Sequence, residues 1–154
     1  MEEIIDIKAK APFPGGALSN FAPYPFVFDG VSCACMEGFL QSLKFRDISE
    51  QKHVCGSPGS IAHSLGRKID WRESGRLWWL GTPFDRLSDD YQQLLDRAYD
   101  ALFEQSPTFR AALKAAGEAR LTHSIGKSDP CETVLTVEEF CTRLERLRQR
   151  TLAE

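Results

Sequence analysis

Glu37, Gln41 and Lys44 stand at i, i+4 and i+7 in ACMEGFLQSLKF, residues 34–45. On a helix such positions fall within roughly 60° of arc, so an acid, an amide and an ammonium project together beside the apolar row of Met36, Leu40 and Leu43. A row of this kind is either a solvated stripe or the wall of a site. As a site it suits general acid or base work. Aromatic neighbours such as Phe21 and Phe39 push a carboxyl group toward its neutral form, while a cation such as Lys44 or Arg67 draws it back toward charge. Lys44 and Arg67 also suit a phosphate, because charge-assisted bonds to it are strong and those of arginine are often bidentate.

Other chemistry is poorly supported. Ser19, Ser57 and Ser64 with His53, His63 and His123 supply the residue types of a nucleophile and its base, but no G-x-S-x-G elbow exists. Cys33, Cys35, Cys55 and His53 match no zinc spacing, so no metal is expected. Gly15-Gly16 lacks the Gly-Lys-Ser/Thr that completes a phosphate loop, which removes ATP hydrolysis. The five cysteines form an odd set without a C-x-x-C pair and read as reduced thiols.

Local patterns define the elements that must hold these residues. EIIDI (residues 3–7) and the stretch at 119–123 read as short strands, and the Pro- and Gly-rich residues 9–25 as a long loop, functional rather than disordered because it carries Phe13, Phe21 and Tyr24. Asp29-Gly30 predicts a β-hairpin. Helices are expected over residues 34–47, with Gly38 marking close approach by a backbone or ligand; over 48–55, capped by Ser49; from Ser57 or Gly59 to a stop at Gly66; and over about 85–104. Residues 106–117 carry Ser106 as cap, Pro107 in the first turn and Gly117 at the end. Thr136 and Glu139 form a capping box for the closing helix, with Val137, Phe140, Leu144 and Leu147 on one face. Residues 70–84, rich in tryptophan, read as irregular. The sum is an α+β chain, predominantly helical, with a small β-hairpin or sheet.

Length and charge bound the function. At 154 residues, 42% hydrophobic and 27% charged, the chain is expected to form one globular domain, 1–154, that folds without disulfides or metal. A net charge of −3 argues against tracking long nucleic acid by phosphate neutralisation. The basic run ERLRQR at 145–150 complements a helix C-terminus. The start is acidic rather than signal-like and no apolar run spans a bilayer, so a cytoplasmic protein is expected.

LSNFAPYPFVFDG at 18–30, MEGFLQSLKF at 36–45, SPGSIAHSLGR at 57–67 and the sequence from Leu102 to Ser124 together resemble the NADAR family, the YbiA-like N-glycosidases of riboflavin intermediates and ADP-ribose conjugates. The resemblance runs from about Leu18 to Arg148. It implies a YbiA-like fold and hydrolysis of a C1′–N bond, with a phosphorylated ribosyl small molecule or an ADP-ribose conjugate as partner, ADP-ribosylated nucleic acid included, and no cofactor. On the matching positions it implies Glu37 as the acid/base or oxocarbenium-stabilising group and Gln41 as its orienting neighbour. It likewise implies Asn20 and Phe21 as contacts to substrate and base, Lys44 and Arg67 as phosphate ligands, and Trp71 as a further substrate-binding residue.

Two departures stand out. The family's histidine after the glutamate is Gly38, and its late acid followed by W-G-x-G is replaced by HSIGKSDPCETVL. Asp129 is the nearest acid to that position and is taken as a second catalytic candidate, with Glu132 next. The departures leave two rivals to an enzyme: a non-catalytic ADP-ribose or nucleotide binding module, and a protein-interaction domain with a vestigial pocket.

Overall fold

The computed structural model describes residues 2–153. Among them lie six α-helices and three separate two-stranded sheets. Strand β1 (Ile4–Asp6) pairs in parallel with β6 (Arg120–Thr122), joining the first strand to the segment that leads into the last helix. β2 (Phe26–Phe28) and β3 (Val31–Cys33) form the hairpin signalled by Asp29-Gly30, and both turn residues have positive φ.

Helix α1 (Met36–Ser42) is central: every one of its residues is buried, Glu37 and Gln41 included. The polar row is therefore no solvated stripe. The helix is shorter than its sequence pattern suggests, because the amides of Leu43, Lys44 and Phe45 bond to carbonyls three residues back, and Trp78 then donates to the Leu43 carbonyl at 2.8 Å. Lys44 thus sits in the turn after α1.

Helix α2 (Ile48–Cys55) is capped by Asp47, whose side chain accepts from Glu50 N, rather than by Ser49. Its buried Gln51 donates to the carbonyls of Ser42 and Trp78 and accepts from Leu80 N, tying α1 to the next hairpin. α1 and α2 pack closely at Gly38, where an added Cβ would lie 2.7 Å from the Cys55 carbonyl oxygen. The expected close approach is by backbone.

Helix α3 (Gly59–Arg67) runs through Gly66 instead of stopping there. Gly66 serves packing: a Cβ would fall 2.0 Å from Gln41 Oε1. The stretch expected to be irregular contains an antiparallel hairpin, β4 (Arg76–Trp79) with β5 (Thr82–Asp85), turned at Leu80 and Gly81 with positive φ at both. Trp79 packs against Phe28 and Phe39 with centroids 5.4 and 5.1 Å away.

Helix α4 (Asp89–Gln105) is capped by Ser88, which leaves Leu87 outside the helix and exposed. Ser106 caps α5 (Pro107–Ala115), and the capping box of Thr136 and Glu139 opens α6 (Val137–Leu152). The buried Arg86 bonds both Glu139 carboxylate oxygens and the Thr133 carbonyl, while Tyr91 Oη donates to the Val134 carbonyl. These bonds fix the irregular segment ahead of α6.

Candidate functional site

A cavity of about 630 Å³ opens between α1, α3, the loop before β2 and the segment joining β6 to α6. Glu37, Gln41, Lys44, Arg67, Trp71, Asn20 and Phe21 all line it. Residues spread over 51 sequence positions are brought together because α1 lies buried beneath α3 and the Asn20 loop.

Helix α1 holds the carboxylate firmly. Gln41 Nε2 donates to Glu37 Oε1 at 3.0 Å, and Glu37 N donates to the Asn20 carbonyl at 2.9 Å. Gln41 Oε1 is buried with no donor, pressed against Gly66. The amide's orientation is thereby set by Glu37 on one side and by α3 on the other. Among the described residues, Glu37 Oε2 takes no donor, which leaves it available to a ligand in the cavity.

Asn20 is oriented as firmly. Its Oδ1 accepts from the buried Tyr99 hydroxyl at 2.7 Å, which turns the amide NH₂ away from Tyr99, where it takes no acceptor among the described residues. Phe21, about a third exposed, forms one wall, and its ring centroid lies 5.9 Å from that of His63. Trp71 is almost wholly buried, so it closes the cavity by packing.

The cations gather on one side. Lys44 Nζ donates to the Gly66 carbonyl at 3.4 Å. Burial lowers the Lys44 pKa; the Glu37 charge opposes this, and the charges of Arg72 and Lys127 add to it. Lys44, Arg67 and Lys127 all line the cavity. Arg72 is engaged by Glu132 at 3.0 Å.

Asp129 stands apart. It is exposed, its carboxylate accepts from Cys131 N at 2.9 Å, and it does not line the cavity. The structure thus leaves this candidate in a turn; Glu132 is the late acid that reaches the cavity wall.

Three lining residues escaped the sequence reading as members of this site: His63, His123 and Lys127. His63 lies one helical turn before Arg67, a spacing that places both on one face of α3. His123 Nδ1 lies 2.7 Å from the Ile7 carbonyl oxygen, which can only accept, so Nδ1 carries the proton. Asp6 anchors this wall by accepting from Ser124 N and Oγ, bonds that hold its carboxyl well below the usual range. No group of three or more potential metal ligands occurs among the described residues.

Residues 12–149 match the family described as bacteriophage protein GP30.3, a family of the NADAR type, and the chain belongs to it. An uncharacterized 17.1 kDa protein of the Gp30-rIII intergenic region of Enterobacteria phage T4 is 38% identical over 146 residues, covering 94% of this chain and 96% of that protein. The solution structure of the E. coli protein YbiA superposes with a TM-score of 0.66 at 22% identity, over 99% of this chain and 86% of YbiA. The expected YbiA-like, predominantly helical fold is therefore the fold observed. No helix is long and apolar enough to cross a membrane among the described residues.

Proposed function

We propose that this protein is an N-glycosidase that hydrolyses the C1′–N bond of a ribose-phosphate or ADP-ribose conjugate. The observation that carries this reading is the Glu37 carboxylate, one oxygen fixed by Gln41 and the other free, in a cavity that also holds Lys44, Arg67 and Lys127. The volume of about 630 Å³ lies within the range of small-molecule sites, about 300–1,000 Å³.

The chemistry follows from the charges. Breaking a C1′–N bond builds positive charge on the sugar ring and negative charge on the departing nitrogen. A fixed carboxylate beside C1′ favours the first without reorganising during the reaction. Lys44 and Arg67 grip the phosphate, which holds C1′ against Glu37. The Asn20 amide donates to the sugar or base, and Phe21 stacks on the base. The reaction needs no metal.

The net charge of −3 favours a small substrate over nucleic acid, and the free cysteines are in keeping with a cytoplasmic location. A second reading, a non-catalytic nucleotide-binding module, draws support from the late segment: Asp129 is turned away and Glu132 is paired with Arg72. Chromatography of mixtures containing a riboflavin-pathway ribosylamine phosphate or, separately, ADP-ribosylated guanine DNA distinguishes the two. An enzyme releases free base from the first substrate or ADP-ribose from the second, and loses that activity as Glu37→Gln. A module binds the ligand without product.

A further inference from the structure

We propose that His63 is the acid that protonates the departing nitrogen, a role that rests on the glycosidase reading above. His63 Nδ1 lies 3.9 Å from Glu37 Oε1, a contact longer than a formed hydrogen bond. Such bonds are commonly long in free enzymes and tighten when substrate fills the site. The imidazole stands on the cavity wall beside Phe21, the ring assigned to the base. It is therefore next to both the carboxylate and the leaving group.

The rest of the cavity cannot take this part. Glu37 must stay ionised to face positive charge at C1′, so it is not free to donate a proton in the same step. The His123 ring packs on Phe140 rather than beside Phe21 and Glu37, and Glu132 is held by Arg72. Lys44, Arg67 and Lys127 are needed as cations. The His63 side chain takes no hydrogen bond among the described residues, and it is half exposed.

The steps balance. As the C1′–N bond breaks, its electron pair stays on nitrogen and the imidazolium proton moves there, leaving neutral His63 and an oxocarbenium ion opposite Glu37. Water enters the vacated position and forms the C1′–O bond, and its proton returns to His63. The net change is water added across the glycosidic bond, with both groups restored.

The experiment uses the full chain with the substrate that the wild type turns over, comparing wild type, His63→Gln and His63→Ala. Both variants should keep the wild-type melting temperature, because the side chain is half exposed. His63→Gln should lower kcat by about 10²- to 10³-fold, as general-acid removal does, with KM changed less than about threefold. The alkaline limb of the wild-type kcat/KM profile should vanish in His63→Gln. Added imidazole should restore His63→Ala at least tenfold. Charged and titratable groups sharing the cavity with His63 are Glu37, Lys44, Arg67, His123, Lys127 and Glu132, and rescue by imidazole separates His63 from all of them. An unchanged kcat, or a loss confined to KM without rescue, overturns the role of His63 and leaves the glycosidase reading intact. A wild type that turns over neither substrate overturns both.

Discussion

Replacing Gly66 by alanine tests how the site is held. The new methyl would lie 2.0 Å from Gln41 Oε1, 2.9 Å from its Cδ and 3.0 Å from its Cβ. The first distance is far inside contact, and the third involves the root of the side chain, so Gln41 must swing away rather than flex at its tip. Its Nε2 bond to Glu37 then breaks, and hydrogen bonds to charged groups contribute about 1.5–3 kcal/mol. Alanine recovers about 1 kcal/mol of helix propensity at a position inside α3. Net destabilisation of about 0.5–2 kcal/mol should accompany a fall in kcat/KM of roughly 10- to 100-fold. The control is Gln41→Ala, which removes the partner in the collision. In that background Gly66→Ala should be neutral or stabilising by up to about 1 kcal/mol, so a double-mutant cycle read by urea denaturation gives a coupling of about 0.5–3 kcal/mol. Wild-type activity in Gly66→Ala, or equal destabilisation in both backgrounds, would refute the claim that α3 fixes Glu37 through Gln41.

Asp129→Asn should leave kcat/KM within about twofold of wild type, because the side chain caps an exposed turn away from the cavity; a large loss in steady-state kinetics would return this residue to the site. Burial raises the Glu139 pKa, but bonds from Arg86, Thr136 N and Gln92 outweigh it and hold the carboxyl below its ordinary 4.5. The lowered value means that the unfolded chain takes up this proton first. The stabilisation is complete above pH 4.5 and is lost as pH falls through the folded value. Glu139→Gln should flatten that part of the acid limb in urea midpoints measured from pH 6 downward, and should cost about 3–5 kcal/mol at pH 7 by leaving the buried Arg86 without its partner. An unaltered acid limb would contradict the assignment.

The parts of the site legible in the sequence were those encoded by local spacing. Glu37, Gln41 and Lys44 declare a shared row at helical period, and Thr136 with Glu139 declares the start of α6, because each pattern is completed within two turns. Gly66 was misread because one residue type serves both as helix terminator and as the gap that admits a neighbouring side chain; only the packing of α3 on Gln41 tells them apart. The β4–β5 hairpin was hidden by its turn, in which Leu80 takes a left-handed conformation that Asn or Asp ordinarily signals. The far wall of the cavity has no period at all. His123 and Lys127 are placed by bonds reaching across the chain, from Asp6 to Ser124, His123 to Ile7, Arg86 to Thr133 and Tyr91 to Val134. Contacts spanning 43 to 118 positions leave no local trace.

The most direct measurement is single-turnover hydrolysis by wild type and Glu37→Gln, with free base and phosphorylated ribose separated by chromatography and ligand affinity measured in parallel. Wild type should release both products, and the variant should bind the substrate with an affinity within about tenfold of wild type yet lose at least 10³-fold in rate. Equal rates in the two proteins, or tight binding by wild type with no product, would contradict a catalytic carboxylate at the centre of this cavity.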